Sequence, residues 1–355
     1  MTTLFDPVNL GDTALANRII MAPMTRSRAG PGDVPTSLMA DYYRQRASAG
    51  LIITEGTQPS AEGKGYLRTP GIHSADQISG WRDVTDAVHA EGGRIFLQIM
   101  HCGRIASGLN KDPAAQTVAP SAIRARGEIM TEQGMMPFDE PVALETRDIP
   151  RVIREFADAA RNAVAAGFDG VELHCTSGYL PAQFLSSGSN HRTDGYGGSS
   201  SNRIRFVVES LEAMAAAIGA GRVGFRICPG NPFNDIWDED PAETYGALLR
   251  AVSPLDLAYV HLIDVPSPQV SSLNLLKHNW RGRTVLNESL SRKKAEELIS
   301  GGVADAVSFG RPFIGNPDLV ERFRNGAALA SFDPATLYTP GPEGYVDYPA
   351  LVAVN

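Results

Sequence analysis

Residues 166–179 read AGFDGVELHCTSGY. A helix-period segment, 149–166, runs into a glycine turn. The five-residue apolar run GVELH (170–174) follows and ends in a polar, glycine-bearing loop. That order is a buried strand delivered by a helix and finished by a loop. It recurs along the chain in RIIMAP (18–23), LIIT (51–54), RIFLQI (94–99), VGFRI (223–227), AYVHLI (258–263), TVL (284–286) and AVSFG (306–310). Helical patterns such as 74–91 and 199–218 separate most of these runs. Eight strands so spaced predict an α/β protein with a parallel sheet closed into one (β/α)8 TIM barrel. An open doubly wound sheet is the alternative, but no GxGxxG turn follows the first run.

The chain has 355 residues, a length that such a barrel can use as one domain, 1–355. Two segments exceed the minimal repeat. Residues 4–15, with turn signals at Asp6-Pro7 and Gly11-Asp12, predict an N-terminal hairpin across the barrel bottom. Residues 102–146, after the third strand, contain Pro113, Pro120, Pro137 and Pro141. A connection that long predicts a lid, and Met130, Met135, Met136 and Phe138 predict that it is an apolar cap. The net charge of −8 argues against a nucleic-acid or anionic-membrane partner. The N-terminus lacks a signal-peptide pattern and no apolar run reaches about 20 residues, so a cytoplasmic protein is expected. Cys102, Cys175 and Cys228 are far apart with no CxxC, which predicts neither a disulfide framework nor a metal site.

Barrel enzymes build their sites at the C-terminal ends of the strands. The polar residues there are Thr25, Glu55, Gln98, His174, Arg226, His261, Asn287 and Arg311. Glu55 and His261 read as ordinary strand-end polar residues. Period-2 alternation puts Gln98 and Met100 on one strand face, and Gly224 and Arg226 on one face of theirs. An arginine aimed into the mouth needs an anion or a carbonyl. Gly310 and Arg311, after the eighth strand, occupy the usual phosphate position of such barrels, unless Arg311 pairs with Asp305 or Asp318. The densest constellation is His174-Cys175-Thr176-Ser177-Gly178-Tyr179, where two donors and a phenol can hold a carbonyl and deliver a proton. A serine hydrolase fits poorly, because no GxSxG elbow is present.

These motifs resemble the Old Yellow Enzyme family of FMN-dependent ene-reductases. The resemblance runs in order through NRIIMAPMTR (17–26), YYRQRASAGLIITEGT (42–57), LQIMHCGRI (97–105), 166–206, VGFRICP (223–229), FGRPFIGNPDLVERF (309–323) and GYVDYP (344–349). It implies an FMN-binding barrel in which Pro23, Met24, Thr25 and Gly56 line the flavin. Gln98 and Arg226 then contact its pyrimidine side, and Ser289, Gly310 and Arg311 serve the phosphate. His174 and Ser177 would clamp the substrate's electron-withdrawing group, with Met100 at its border and Tyr179 as proton donor. The implied reaction reduces a C=C bond activated by a carbonyl or nitro group. Hydride comes from NAD(P)H through flavin N5, and the proton comes from Tyr179. The expected partner is a small-molecule alkene, and the expected state is a monomer or homodimer.

Three positions depart from the family pattern. Ser177 stands where Asn or His is usual, and loss of that hydrogen bond would cost about 3 kcal/mol of oxyanion stabilisation. A smaller side chain there would also admit a bulkier substrate. Met100 replaces a tryptophan, which either reshapes the pocket or is a neutral packing swap. Glu288-Ser289 replaces a glycine pair, so either Glu288 turns outward and Ser289 offers its N–H, or FMN is held more weakly. Ser291 reads as the cap of the next helix. The departures support an alternative in which the same flavin barrel serves a specialised biosynthetic step, a redox-neutral isomerisation or an oxidation of a larger substrate. A flavin-free binding protein is the third reading.

Overall fold

Each apolar run becomes a strand in the computed structural model, which describes residues 2–288 and 290–351. The strands are β1 (Ile19–Met21), β2 (Leu51–Ile53), β3 (Ile95–Ile99), β4 (Gly170–His174), β5 (Val223–Ile227), β6 (Tyr259–Ile263), β7 (Thr284–Asn287) and β8 (Ala306–Phe309). All neighbours are parallel, and β8 pairs back onto β1 with Val307 opposite Ile19, closing the barrel. The predicted TIM barrel is the fold observed.

Alternation divides the strand residues between two faces. Val171, Leu173, Phe225, Ile227, Val260, Leu262, Leu286 and Val307 point outward and pack with the helices in one buried cluster. Ile20, Leu51, Ile53, Phe96, Tyr259, Val285 and Ala306 point inward at the lower level. There they meet Val8, Leu10 and Leu15 of the predicted hairpin, whose strands Val8–Leu10 and Thr13–Leu15 are antiparallel. Phe96 and Tyr259 stack across this layer with centroids 6.0 Å apart. Gly224 makes room for them, since a Cβ there would lie 2.5 Å from the Tyr259 ring. Above this apolar floor the inward positions become polar, and they support the site.

Local signals fix the helices. Ser74 caps helix Ala75–Ala90 and exchanges hydrogen bonds with Gln77 in a capping box. Ser291 caps Arg292–Ser300, its Oγ accepting from the Lys294 N–H at 3.2 Å. The predicted 199–218 helix is two segments, Ser200–Arg203 and Arg205–Ile218.

The segment 102–146 forms a two-tiered structure. Val118–Ala119 pairs in parallel with Val142–Ala143, and Glu128–Thr131 forms a hairpin with Gly134–Pro137. Only part of the expected apolar cap turns inward. Phe138 and Ile129 are buried with Met100 and Tyr179, whereas Met130 and Met135 are cross-strand partners that face solvent. Buried Arg26 and Arg28 donate to the carbonyls of Thr336, Leu337, Glu343 and Gly344, which straps the C-terminal segment to the loop after β1. Among the described residues, no helix is long and apolar enough to cross a membrane.

Gly224→Ala is expected to destabilise the barrel by about 1–3 kcal/mol, because neither the strand nor the stacked Tyr259 can yield freely. Chemical unfolding measures this, and wild-type stability would show that the ring is not fixed there.

Candidate active site

β4 delivers His174 to the barrel mouth, and the chain then turns sharply. Ser177 adopts a left-handed φ of 56°. Its carbonyl accepts a 2.8 Å hydrogen bond from Asn234 Nδ2, which ties the turn to the loop after β5. The turn brings the Tyr179 ring edge-on to the His174 imidazole, with centroids 4.8 Å apart. His174 Nδ1 accepts from the Thr176 N–H at 3.3 Å, so its proton resides on Nε2. Burial, aided by nearby Arg226, pushes the His174 pKa down to about 3. The imidazole is therefore a neutral donor. Burial likewise holds Tyr179 well above the ordinary phenol range, so it keeps its proton. The Tyr179 and Tyr66 hydroxyls lie 3.0 Å apart.

Beside this turn, a cleft of about 470 Å³ is lined by Pro23, Met24, Arg226, Asn287, Glu288, Ser308, Gly310 and Arg311 among others. Arg226 Nη2 donates to Asn287 Oδ1 at 2.9 Å, while its buried Nε has no partner. A buried guanidinium N–H without an acceptor is costly and fits a cleft made for a ligand with acceptor atoms. Neither carboxylate suggested for Arg311 takes it, because Asp305 pairs with Arg283 and Asp318 with Arg322.

Polar side chains continue beneath the cleft. Gln98 Nε2 donates to Glu172 Oε1 at 2.8 Å, and Glu172 Oε2 meets His261 Nδ1 at 2.8 Å. His261 Nε2 and Ser308 Oγ are 2.8 Å apart, and Asn287 Nδ2 reaches Ser308 Oγ at 2.8 Å. All four of Gln98, Glu172, His261 and Ser308 are buried. Glu172 is held below the usual carboxylate range by the imidazole, by Arg226 and by the Gln98 amide, against its own burial.

The expected residues thus fall into three groups. The cleft gathers Pro23, Met24, Arg226, Gly310 and Arg311, with half-buried Thr25 next in the chain. Gln98 lies under it. His174, Ser177 and Tyr179 share one turn, and Met100 packs beside Tyr179. Met100 also covers Gly56, where a Cβ would lie 2.5 Å from its sulfur. Ser289 lies outside the described residues. Glu288 lines the cleft with a φ of 127°, a backbone region that non-glycine residues rarely adopt.

Four contributors escaped the sequence reading, Ser308 among them, since only its partners on β6 and β7 give that hydroxyl a role. His261, taken as an ordinary strand-end residue, is a fully buried member of the polar chain. Glu172 had a signal, since alternation puts an acid on the same inward face as His174. Tyr66 had none, because it reaches Tyr179 from a different loop.

A deep cleft at the C-terminal mouth of a (β/α)8 barrel, with a buried arginine below and a neutral imidazole beside a phenol, defines a cofactor-dependent barrel enzyme. The family model of the NADH:flavin oxidoreductase / NADH oxidase family matches residues 3–330. A probable flavin mononucleotide-dependent alkene reductase of Leishmania infantum is 43% identical over 359 residues, covering 98% of this chain and 97% of that protein. The old yellow enzyme homologue of Zymomonas mobilis superposes with a TM-score of 0.96 at 41% identity, covering 99% of this chain and 100% of that one. Morphinone reductase in complex with tetrahydroNAD gives a TM-score of 0.94 at 43% identity, covering 99% of each chain. The chain belongs to the NADH:flavin oxidoreductase / NADH oxidase family, the Old Yellow Enzyme group that its motifs resemble, and is an FMN-dependent oxidoreductase.

Two expectations follow from this geometry. Because His174 is neutral far below its ordinary pKa near 6.5, kcat/KM for the alkene should show no histidine limb between pH 5 and 8. An inflection near pH 6.5 that vanishes in His174→Asn would contradict the assignment. Asparagine tolerates a left-handed backbone better than serine. Ser177→Asn should therefore keep stability or raise it by up to about 1 kcal/mol, and a lowered melting temperature would count against this.

Proposed function

We propose that the chain is an NAD(P)H-dependent FMN ene-reductase acting on small alkenes activated by a carbonyl or nitro group. In this reading 1–355 is one FMN-binding domain, with 102–146 as its lid. FMN, when bound, supplies the hydride chemistry. Pro23, Met24, Thr25 and Gly56 would line its ring, Gln98 and Arg226 its polar edge, and Gly310 and Arg311 its phosphate. The partnerless Arg226 Nε supports that fit, and Glu288 on the cleft wall is the feature that opposes it.

The observation that carries the reading is the neutral His174 imidazole set edge-on against protonated Tyr179. As the β-carbon gains hydride, charge moves to the substrate's carbonyl or nitro oxygen. His174 Nε2–H would meet that oxygen, with the Ser177 hydroxyl as second donor. A neutral donor gives up no proton there, so the Tyr179 hydroxyl would serve the α-carbon. Its hydroxyl neighbour Tyr66 can donate back to it, which leaves the Tyr179 proton directed at the substrate.

A redox-neutral or oxidative step on a larger substrate is the second reading, supported by the short Ser177 side chain at the clamp. Anaerobic mixing with NADPH, then with cyclohexenone or maleimide, separates the two. Flavin bleaching followed by reoxidation by an enone is expected. Bleaching with no reoxidation by any enone would reject the ene-reductase and favour the second reading. Tyr179→Phe should leave reduction by NADPH nearly intact and slow alkene turnover by about a hundredfold or more. If stopped-flow traces showed both half-reactions falling together, Tyr179 would instead have a structural role.

A further inference from the structure

We propose that Glu172 is a positioning residue for the cofactor. From beneath the cleft it fixes which atoms Gln98 and Arg226 have available, and its charge offsets that of Arg226. The inference rests on the reading above, in which FMN lies against those two side chains.

Donors and acceptors decide the arrangement around Glu172. An ionised carboxylate only accepts. Gln98 must therefore turn its Nε2–H to Glu172 Oε1, which leaves Oε1 as the amide's free acceptor. His261 must give Nδ1–H to Glu172 Oε2, so the buried neutral ring accepts at Nε2. The partner at Nε2 is Ser308 Oγ, which must donate. Its lone pairs are then free for Asn287 Nδ2–H. That bond, together with one from the same Nδ2 to the Ser308 carbonyl at 3.0 Å, sets the Asn287 amide with Oδ1 toward Arg226, where it accepts from Nη2. One carboxylate on β4 thus sets the donor and acceptor sense of side chains on β3, β6 and β8 and bears on that of Asn287 on β7, which in turn engages Arg226 Nη2 on β5.

Water cannot repair a mismatch here. Glu172 and His261 are fully buried, and Gln98 and Ser308 are 2% exposed. A glutamine at 172 fills the same volume but carries an NH2 where one oxygen was. Either Gln98 or His261 would then face a donor at a 2.8 Å contact, and its amide must flip or its tautomer change. The same substitution removes a negative charge from below the cleft. A cofactor that takes up negative charge on reduction should then be reduced more readily.

The test strips the protein of flavin, titrates it with FMN by flavin fluorescence, and measures the reduction potential against a reference dye. Glu172→Gln is expected to weaken FMN binding about tenfold and to move the dye equilibrium about tenfold toward reduced flavin, or roughly 30 mV for two electrons. Glu172→Asp retains the charge with a shorter reach, so it should weaken FMN while leaving the potential near wild type. Wild-type affinity and potential in Glu172→Gln would overturn the proposal. Should that variant not fold, Ser308→Ala interrupts the chain by one hydroxyl and should bind FMN severalfold more weakly, and unchanged affinity would overturn the proposal equally. Gln98→Ala and Arg226→Ala separate the two levels. If they lose FMN while Glu172→Gln does not, the cleft reading stands and this inference falls. If both keep wild-type FMN affinity, the cleft reading falls and takes the inference with it.

Discussion

A carboxylate without water must be surrounded by donors, and at Glu172 that requirement organises the upper half of the barrel. Burying an unpaired charge would cost several kcal/mol. Here Gln98 and His261 supply the donors, and the electrostatic partner Arg226 lies two strand-end positions above on β5, opposite His174. The apolar floor of Phe96, Tyr259 and the hairpin leucines closes the barrel from below. The polar layer therefore has only one open direction, upward into the cleft. A ligand there meets side chains whose donor and acceptor sense was fixed before it arrived, and such preorganisation avoids reorganisation when charge moves.

The turn after β4 follows a complementary logic. The cleft carries formal charge at Arg226, whereas the turn that holds His174 and Tyr179 beside it is kept neutral. His174 lies beside a cation in a dry site, which suppresses its protonation, and Tyr179 is shielded among Met100, Ile129 and Phe138. Neutral donors suit a substrate that is uncharged before reaction and acquires charge only as it reacts. Ile129 and Phe138 of the segment 102–146 thus form part of the low-dielectric wall that keeps the Tyr179 phenol protonated.

The fold was largely legible in the sequence because a closed parallel barrel buries its strands on both faces and its helices on one. Strand runs such as GVELH and VGFRI coincide with the observed strands to the residue, since glycine or loop punctuation bounds them. The site was legible where a strand end alone decides position, as for His174, Gln98 and Arg226. It was illegible where contacts come from separate loops. Tyr66 reaches Tyr179 from 113 residues away in the chain, and no local period encodes that. His261 was passed over because its partners, Glu172 and Ser308, lie on other strands. The outward Met130 and Met135 failed for a different reason: composition marks a hairpin as apolar but does not say which of its faces is covered.

The departures at 177 and 100 have unequal weight. Met100 is 4% exposed and lies over Gly56 while belonging to the buried cluster that contains Tyr179. Its flexible thioether fills space between the barrel and the segment 102–146, so a change there acts on the packing of Tyr179 as much as on pocket size. Ser177 is different, because its backbone conformation is set by the turn and by Asn234, whatever side chain it carries. The turn thus keeps a strained φ suited to asparagine while presenting a hydroxyl of shorter reach. If Ser177 clamps the substrate as proposed, a left-handed φ kept without the amide that would ease it fits a residue shaped by what it must admit, since backbone tolerance alone would favour asparagine.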